Sequence, residues 1–133
     1  MDRWQKWFRI ALAVYWVCLF IAQHIPASKI PPTHVSDKLI HVVMYSMLGV
    51  LLWMAIGDSV SSIRSKALLV LGIVMVYGAI DEWTQPLVGR SCSLDDWVAD
   101  TAGGVIAIAV MAGLSLWYQR RFAAAGVAPR DFT

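Results

Sequence analysis

The chain reads as an all-α membrane protein, a bundle of four transmembrane helices with both termini cytoplasmic, and three observations predict it. Its 133 residues are 59% hydrophobic and include seven tryptophans, with a mean hydropathy of +0.62. That is a membrane composition rather than a soluble one. Four apolar runs, at 10–25, 39–56, 67–85 and 97–118, approach or exceed the roughly 20 residues that a helix needs to cross a bilayer core. The basic residues divide unevenly between the two sides these runs define. Arg3, Lys6, Arg9, Arg64, Lys66, Arg120, Arg121 and Arg130 fall on one side, eight of the eleven in the chain, and Lys29, Lys38 and Arg90 on the other. Cytoplasmic segments collect Lys and Arg, so the first side, with both termini, is expected inside.

Helix one is expected over 8–25. It resembles a signal peptide only superficially, because Gln23-His24-Ile25-Pro26 follows where a small-residue cleavage site would be needed. Trp4 and Trp7 at its start, with Trp117 and Tyr118 near the end of the chain, fit a cytoplasmic aromatic belt; Trp83 and Trp97 fit the outer one. Pro26, Pro31 and Pro32 then forbid a continuous helix. Ser36 is placed to cap helix two, expected over 37–56, where Asp37 and His41 are four apart and share a face. The polar loop 57–65 carries no recognisable chemistry. Helix three is expected over 67–85; its purely apolar part is too short to span, so it must continue through Asp81, Glu82 and Gln85 before Pro86 ends it. Ser93 with Asp96 has the form of a capping box opening helix four, expected over 95–119. Asp96, Asp100 and Gly104 recur on one face of that helix, and Gly103 and Gly104 allow a close helix contact. No internal repeat or low-complexity segment interrupts the chain, and one domain over 1–133 is expected.

Six of the nine acids, Asp37, Asp81, Glu82, Asp95, Asp96 and Asp100, gather at the expected outer end. Ionisable groups at membrane depth cost roughly 2.5–3.5 kcal/mol each on insertion scales, which makes them functional candidates. The candidate ligand-binding set is Asp37, Lys38, His41, Glu82, Gln85, Arg90, Asp96 and Asp100. Plainer roles exist for several of them. Asp37, Asp95 and Asp96 stand in first helical turns, where a carboxylate complements the macrodipole. His41 can be a neutral ring bonded to Asp37 or a hydroxyl. Asp81 and Glu82 are about 100° apart on a helix, so only one need face inward. Arg90 can clamp carboxylates or reach headgroups. A net charge of +2 is too small to argue for nucleic acid, and two cysteines are too few for a disulfide framework. The acid-rich cluster would admit a divalent cation, but H-x-x-H and C-x-x-C spacings are absent, so neither a metal nor another cofactor is expected.

Together, D-K-x-x-H (Asp37, Lys38, His41), E-x-x-Q (Glu82, Gln85) and G-R-S (Gly89 to Ser91) with an aspartate six residues after the arginine (Asp96) resemble the VanZ-like family of small bacterial integral membrane proteins. The resemblance runs from about Asp37 to Gly104. Where that family usually has asparagine four residues after the aspartate, this chain has Asp100 and an added negative charge. The family takes its name from an accessory protein of glycopeptide-antibiotic resistance associated with teicoplanin. The resemblance implies a multi-pass protein of the bacterial inner (cytoplasmic) membrane connected with the cell envelope, and supplies no reaction. The expected function is an outward-facing polar pocket for a membrane lipid or lipid-linked envelope precursor, with Arg90 and Lys38 meeting its anion and the carboxylates and His41 meeting donors or a cation. Two alternatives stand beside it. One is a membrane-embedded enzyme on a lipid-linked substrate, with His41 as general base, Glu82 or Asp96 as acid and Arg90 on the developing phosphate charge. The other is a structural polar network with no ligand. The oligomeric state is left open.

Overall fold

The computed structural model describes residues 3–29, 35–60 and 62–124. Pro31, Pro32 and Arg130, used above for the first loop and for orientation, lie outside these residues. Four long helices carry the chain: α1 (Arg3–Gln23), α2 (Asp37–Ile56), α3 (Ile63–Thr84) and α4 (Leu94–Ala124). Short 3-10 turns follow α1, α2 and α3 at Ala27–Lys29, Gly57–Ser59 and Gln85–Val88. All four helices are long and apolar enough to cross a membrane. Their outward faces carry Val14, Val17, Val43, Met47, Leu68, Val76, Val110 and Leu114, all exposed. Lipid tails are the solvent that suits such a perimeter. This is a multi-pass membrane protein.

α2 is the central helix and packs on each of the other three, most extensively on α4. It runs antiparallel to α1 and α3 and parallel to α4. The parallel register shows in three successive contacts: His41 on Asp100, Ser46 Oγ donating to Gly103 O at 3.0 Å, and Gly49 against Ala107. Two backbones come this close because the seam is made of small residues. A Cβ on Gly103 would lie 2.5 Å from Val42 O, and one on Gly104 2.8 Å from a Val74 methyl. The apolar core behind the seam is Leu19, Tyr45, Leu48, Leu52, Trp53, Val70 and Val74.

Helix ends follow local chemistry. Ser62 Oγ accepts Ser65 N–H and starts α3 a turn earlier than the apolar run suggests. Ser36 stands at the N-cap position of α2, but its side chain makes no capping bond there; Asp37 in the first turn supplies the favourable charge instead. At the far end of α2 three side chains satisfy carbonyls that the helix leaves open. Gln5 Nε2 donates to Ile56 O at 3.0 Å, Arg9 Nε to Ala55 O at 3.2 Å, and Lys66 Nζ to Gly57 O at 2.7 Å. Trp97, expected in an aromatic belt, turns inward and donates its indole N–H to Met75 O at 2.9 Å. Its ring therefore ties α4 to α3, whereas Trp83 is 79% exposed.

Candidate functional site

The finishing ends of α1 and α3 and the starting ends of α2 and α4 meet at one end of the bundle, and they bring most of the candidate polar residues with them. His41, Asp81, Glu82, Gln85 and Asp100 are all buried there. The innermost contact joins α2 to α4. His41 Nδ1 lies 2.8 Å from Asp100 Oδ1, and the two side chains are 1% and 0% exposed. In the neutral ring Nδ1–H donates to the Asp100 carboxylate, which leaves Nε2 unprotonated. Neither His41 Nε2 nor Asp100 Oδ2 has a hydrogen-bond partner. Asp37, one of the two partners the sequence allowed for His41, is not the one that binds it.

Glu82 works between α3 and α4. Its Oε2 accepts Ser93 N–H at 2.7 Å, and its Oε1 accepts Gln85 Nε2–H at 3.1 Å. Asp96 N–H in turn donates to Ser93 Oγ at 3.3 Å, the first half of the expected capping box. The reciprocal half comes from Glu82 on another helix, so the Asp96 carboxylate is not spent on it. The α-helix ends at Thr84, and Gln85 opens the following 3-10 turn while keeping its contact with Glu82.

Asp81 and Glu82 both face inward, against the expectation that one would suffice. The reason is that α3 has a different neighbour on each side. Tyr45 Oη of α2 donates to Asp81 Oδ2 at 3.1 Å, while Glu82 faces the start of α4. Asp81 Oδ1 makes no hydrogen bond among the described residues, and His24 Nδ1 lies 3.7 Å from it.

α1 also contributes. Gln23 is buried with its amide 3.3 Å from His41 Nδ1. Since that ring nitrogen carries the proton given to Asp100, it has no lone pair to accept with, and the Gln23 contact fits the amide oxygen rather than the nitrogen. His24 bridges α1 to α3, its Nδ1 2.8 Å from Phe20 O and its Nε2 2.9 Å from Thr84 Oγ1. Spacing within helices two to four could not find these two. The signal available was two polar residues at the end of α1, Gln23 in its last turn and His24 just after it, at the same end as the acids.

The charged rim is looser. Arg90 is 12% exposed and stands 3.6 Å from Asp37, which is 60% exposed; its second reach is to Gln23 O at 3.4 Å. Gly89, at φ 75°, makes the left-handed turn that launches this arginine. Lys38 and Asp95 pair at 2.7 Å in the open, 58% and 74% exposed, which directs Lys38 along the surface rather than toward the buried acids. Around His41 two triads of donor atoms form: an upper one with Asp37 and Asp96, and a lower, wholly buried one with Glu82 and Asp100. In each, the atoms lie within 4.8 Å of one another.

A family model described as VanZ/LLP1 matches residues 6–117, most of the chain, which therefore belongs to that family. No curated protein and no solved structure matches it.

Proposed function

From the premise that the chain is a VanZ/LLP1 membrane protein, we propose that it is an envelope protein of the bacterial inner membrane whose acid-rich end faces outward. There it recognises the polar headgroup of a membrane lipid or lipid-linked precursor. One observation carries the reading: His41 Nε2 and Asp100 Oδ2 are buried and unpartnered at the centre of a polar cluster. A network built only to hold helices together keeps such atoms few, because each open buried polar atom costs stability. The rim adds support. Arg90 is joined to Asp37 by a long contact with an exposed carboxylate, a pair worth little on its own. Its guanidinium is thus available to a phosphate in the bidentate manner that arginine favours.

The His41–Asp100 pair favours a second reading, that of an enzyme on a lipid-linked substrate. A histidine held through Nδ1 by a carboxylate, with Nε2 open, has the geometry of a general base.

Native mass spectrometry of the gently extracted protein tests the binding reading. The wild type should retain a phosphate-bearing lipid and Arg90→Ala should lose it at least fivefold, with thermal stability nearly unchanged. Full lipid retention in Arg90→Ala alongside a large fall in stability would make Arg90 a clamp and remove it from the site.

A further inference from the structure

We infer that His41, Glu82 and Asp100 form a binding site for a divalent first-row cation of the zinc class, at the floor of the proposed headgroup site. The inference deepens that reading and rests on it for the cation's role, though the cation needs no lipid to bind.

The geometry comes first. One imidazole and two carboxylates, each from a different helix, present donor atoms within 4.8 Å of one another, and all three residues are buried. Metal bonds of about 2.0–2.1 Å in a tetrahedral site put donors about 3.3 Å apart, so the set must draw in by about 1.5 Å at most. Carboxylates at the ends of rotatable side chains can make such a move.

The second observation is independent of the clustering. Asp100 Oδ2, on a fully buried residue, has no partner. It is turned toward α3, where a Cβ on Gly78 would meet it at 3.1 Å. Gly78 lies one turn before Glu82, so the open oxygen is aimed at the helix that supplies the second carboxylate. His41 faces Asp100 through Nδ1 at 2.8 Å, so Nδ1 is the nitrogen that can share a cation with it; the ring proton then passes to Nε2, which is buried and open.

Charge points the same way. Asp81, Glu82 and Asp100 are 1%, 3% and 0% exposed. Among the described residues, no lysine or arginine bonds any of them; Arg90 reaches Asp37 and Lys38 reaches Asp95. Where such acids are ionised within a membrane span, a compensating cation stabilises them. A nitrogen donor with two carboxylates suits zinc and its neighbours rather than calcium or magnesium, which prefer all-oxygen sites. Three protein ligands also leave a fourth position, where a headgroup phosphate would coordinate. Asp37 and Asp96, which form the upper triad with His41, mark the side from which a cation would arrive. Short-range spacing in the sequence had argued against a metal; a triad assembled from three helices has no spacing to detect.

The test uses full-length protein in detergent, stripped of lipid and treated with a chelator, with Zn²⁺ as the probe. Bound zinc after desalting should be one per chain, and added Zn²⁺ should raise the melting temperature. His41→Gln and Asp100→Asn should each raise the Kd at least tenfold and abolish the melting shift, while Asp58→Asn, an exposed acid at the opposite end, should keep both. Should His41→Gln fail to accumulate, Asp100→Asn decides, because an amide preserves the hydrogen bond to His41. Zinc held equally well by Asp100→Asn, or no zinc held by the wild type, overturns the site. Because no lipid is present, either result leaves the headgroup reading to its own experiment.

Discussion

The two ends of the bundle solve the same problem in opposite ways. Where α2 finishes, its open carbonyls meet Gln5, Arg9 and Lys66 one for one, and the Lys66 ammonium also sits 4.9 Å from the centre of the Trp53 ring. The polar groups there complete a helix terminus. Where α2 begins, the polar groups are drawn from all four helices, they meet side chain to side chain as well as at the cap that Glu82 completes, and several of their atoms have no mate. Satisfied polarity marks a scaffold, whereas buried unsatisfied polarity is retained where something is to be bound. The contrast turns a family membership that names no reaction into a statement about which end to examine.

The largest expected effect comes from the seam that holds the site together. Gly103 is one turn beyond Asp100, and its added Cβ would meet Val42 O at 2.5 Å and Ser46 N at 2.9 Å, both backbone atoms that cannot swing away. Gly103→Val should force α2 and α4 apart at a cost of about 3 kcal/mol. It should lower the detergent melting temperature sharply and abolish lipid retention together with it. Retained binding in a destabilised Gly103→Val protein would show that the seam does not position the acid-rich end.

A pair of substitutions of opposite sign sharpens the comparison itself. Lys66→Met keeps the stem over Trp53 but removes the donor to Gly57 O, and should destabilise by about 1–2 kcal/mol. Asp100→Asn keeps a hydrogen bond for His41 while removing a buried charge, so the chelator-treated protein should be as stable as the wild type or more so. Its lipid and zinc binding should nonetheless fall. Melting curves of both variants in one detergent decide the matter: equal destabilisation would mean that both ends are scaffold.

Much of the architecture was legible in the sequence. Helix two is observed over the expected residues 37–56, and helix three ends one residue short of expectation. The misses have physical causes. α3 begins at Ile63 rather than 67 because Ser62 caps it and Lys66 turns inward to a carbonyl, so its polar first turn is helical although it is not apolar. α1 begins at Arg3 rather than 8, since Trp4, Trp7 and basic residues spaced three apart fit a helix end as well as an apolar run does. Within the site, spacing placed His41, Glu82, Gln85 and Asp100 at one end, but partner choice is a property of packing. Nothing local says that Glu82 completes the cap of α4, that Asp100 holds His41, or that Lys38 turns to Asp95. Those pairings cross between helices, and one sequence carries no register between helices.

The mildest intervention leaves the fold alone and asks which end faces which side. Cys92 is exposed in the short connection between α3 and α4 at the acid-rich end, so the chain carries its own topological reporter. Cys18, the other free cysteine, is exposed on α1 within a candidate membrane span, where an aqueous reagent does not reach it; Cys18→Ser removes it all the same. In that background the eight-to-three division of basic residues predicts that a membrane-impermeant maleimide applied outside the inner membrane labels Cys92 in intact cells. A cysteine placed instead at Ser59, in the turn after α2, should stay unlabelled until the membrane is opened. No change in stability is expected from either protein. The reverse pattern would put the acid-rich end in the cytoplasm, where an outer-leaflet headgroup cannot reach Arg90, and the envelope-facing role would fall even though the contrast between the two ends remained.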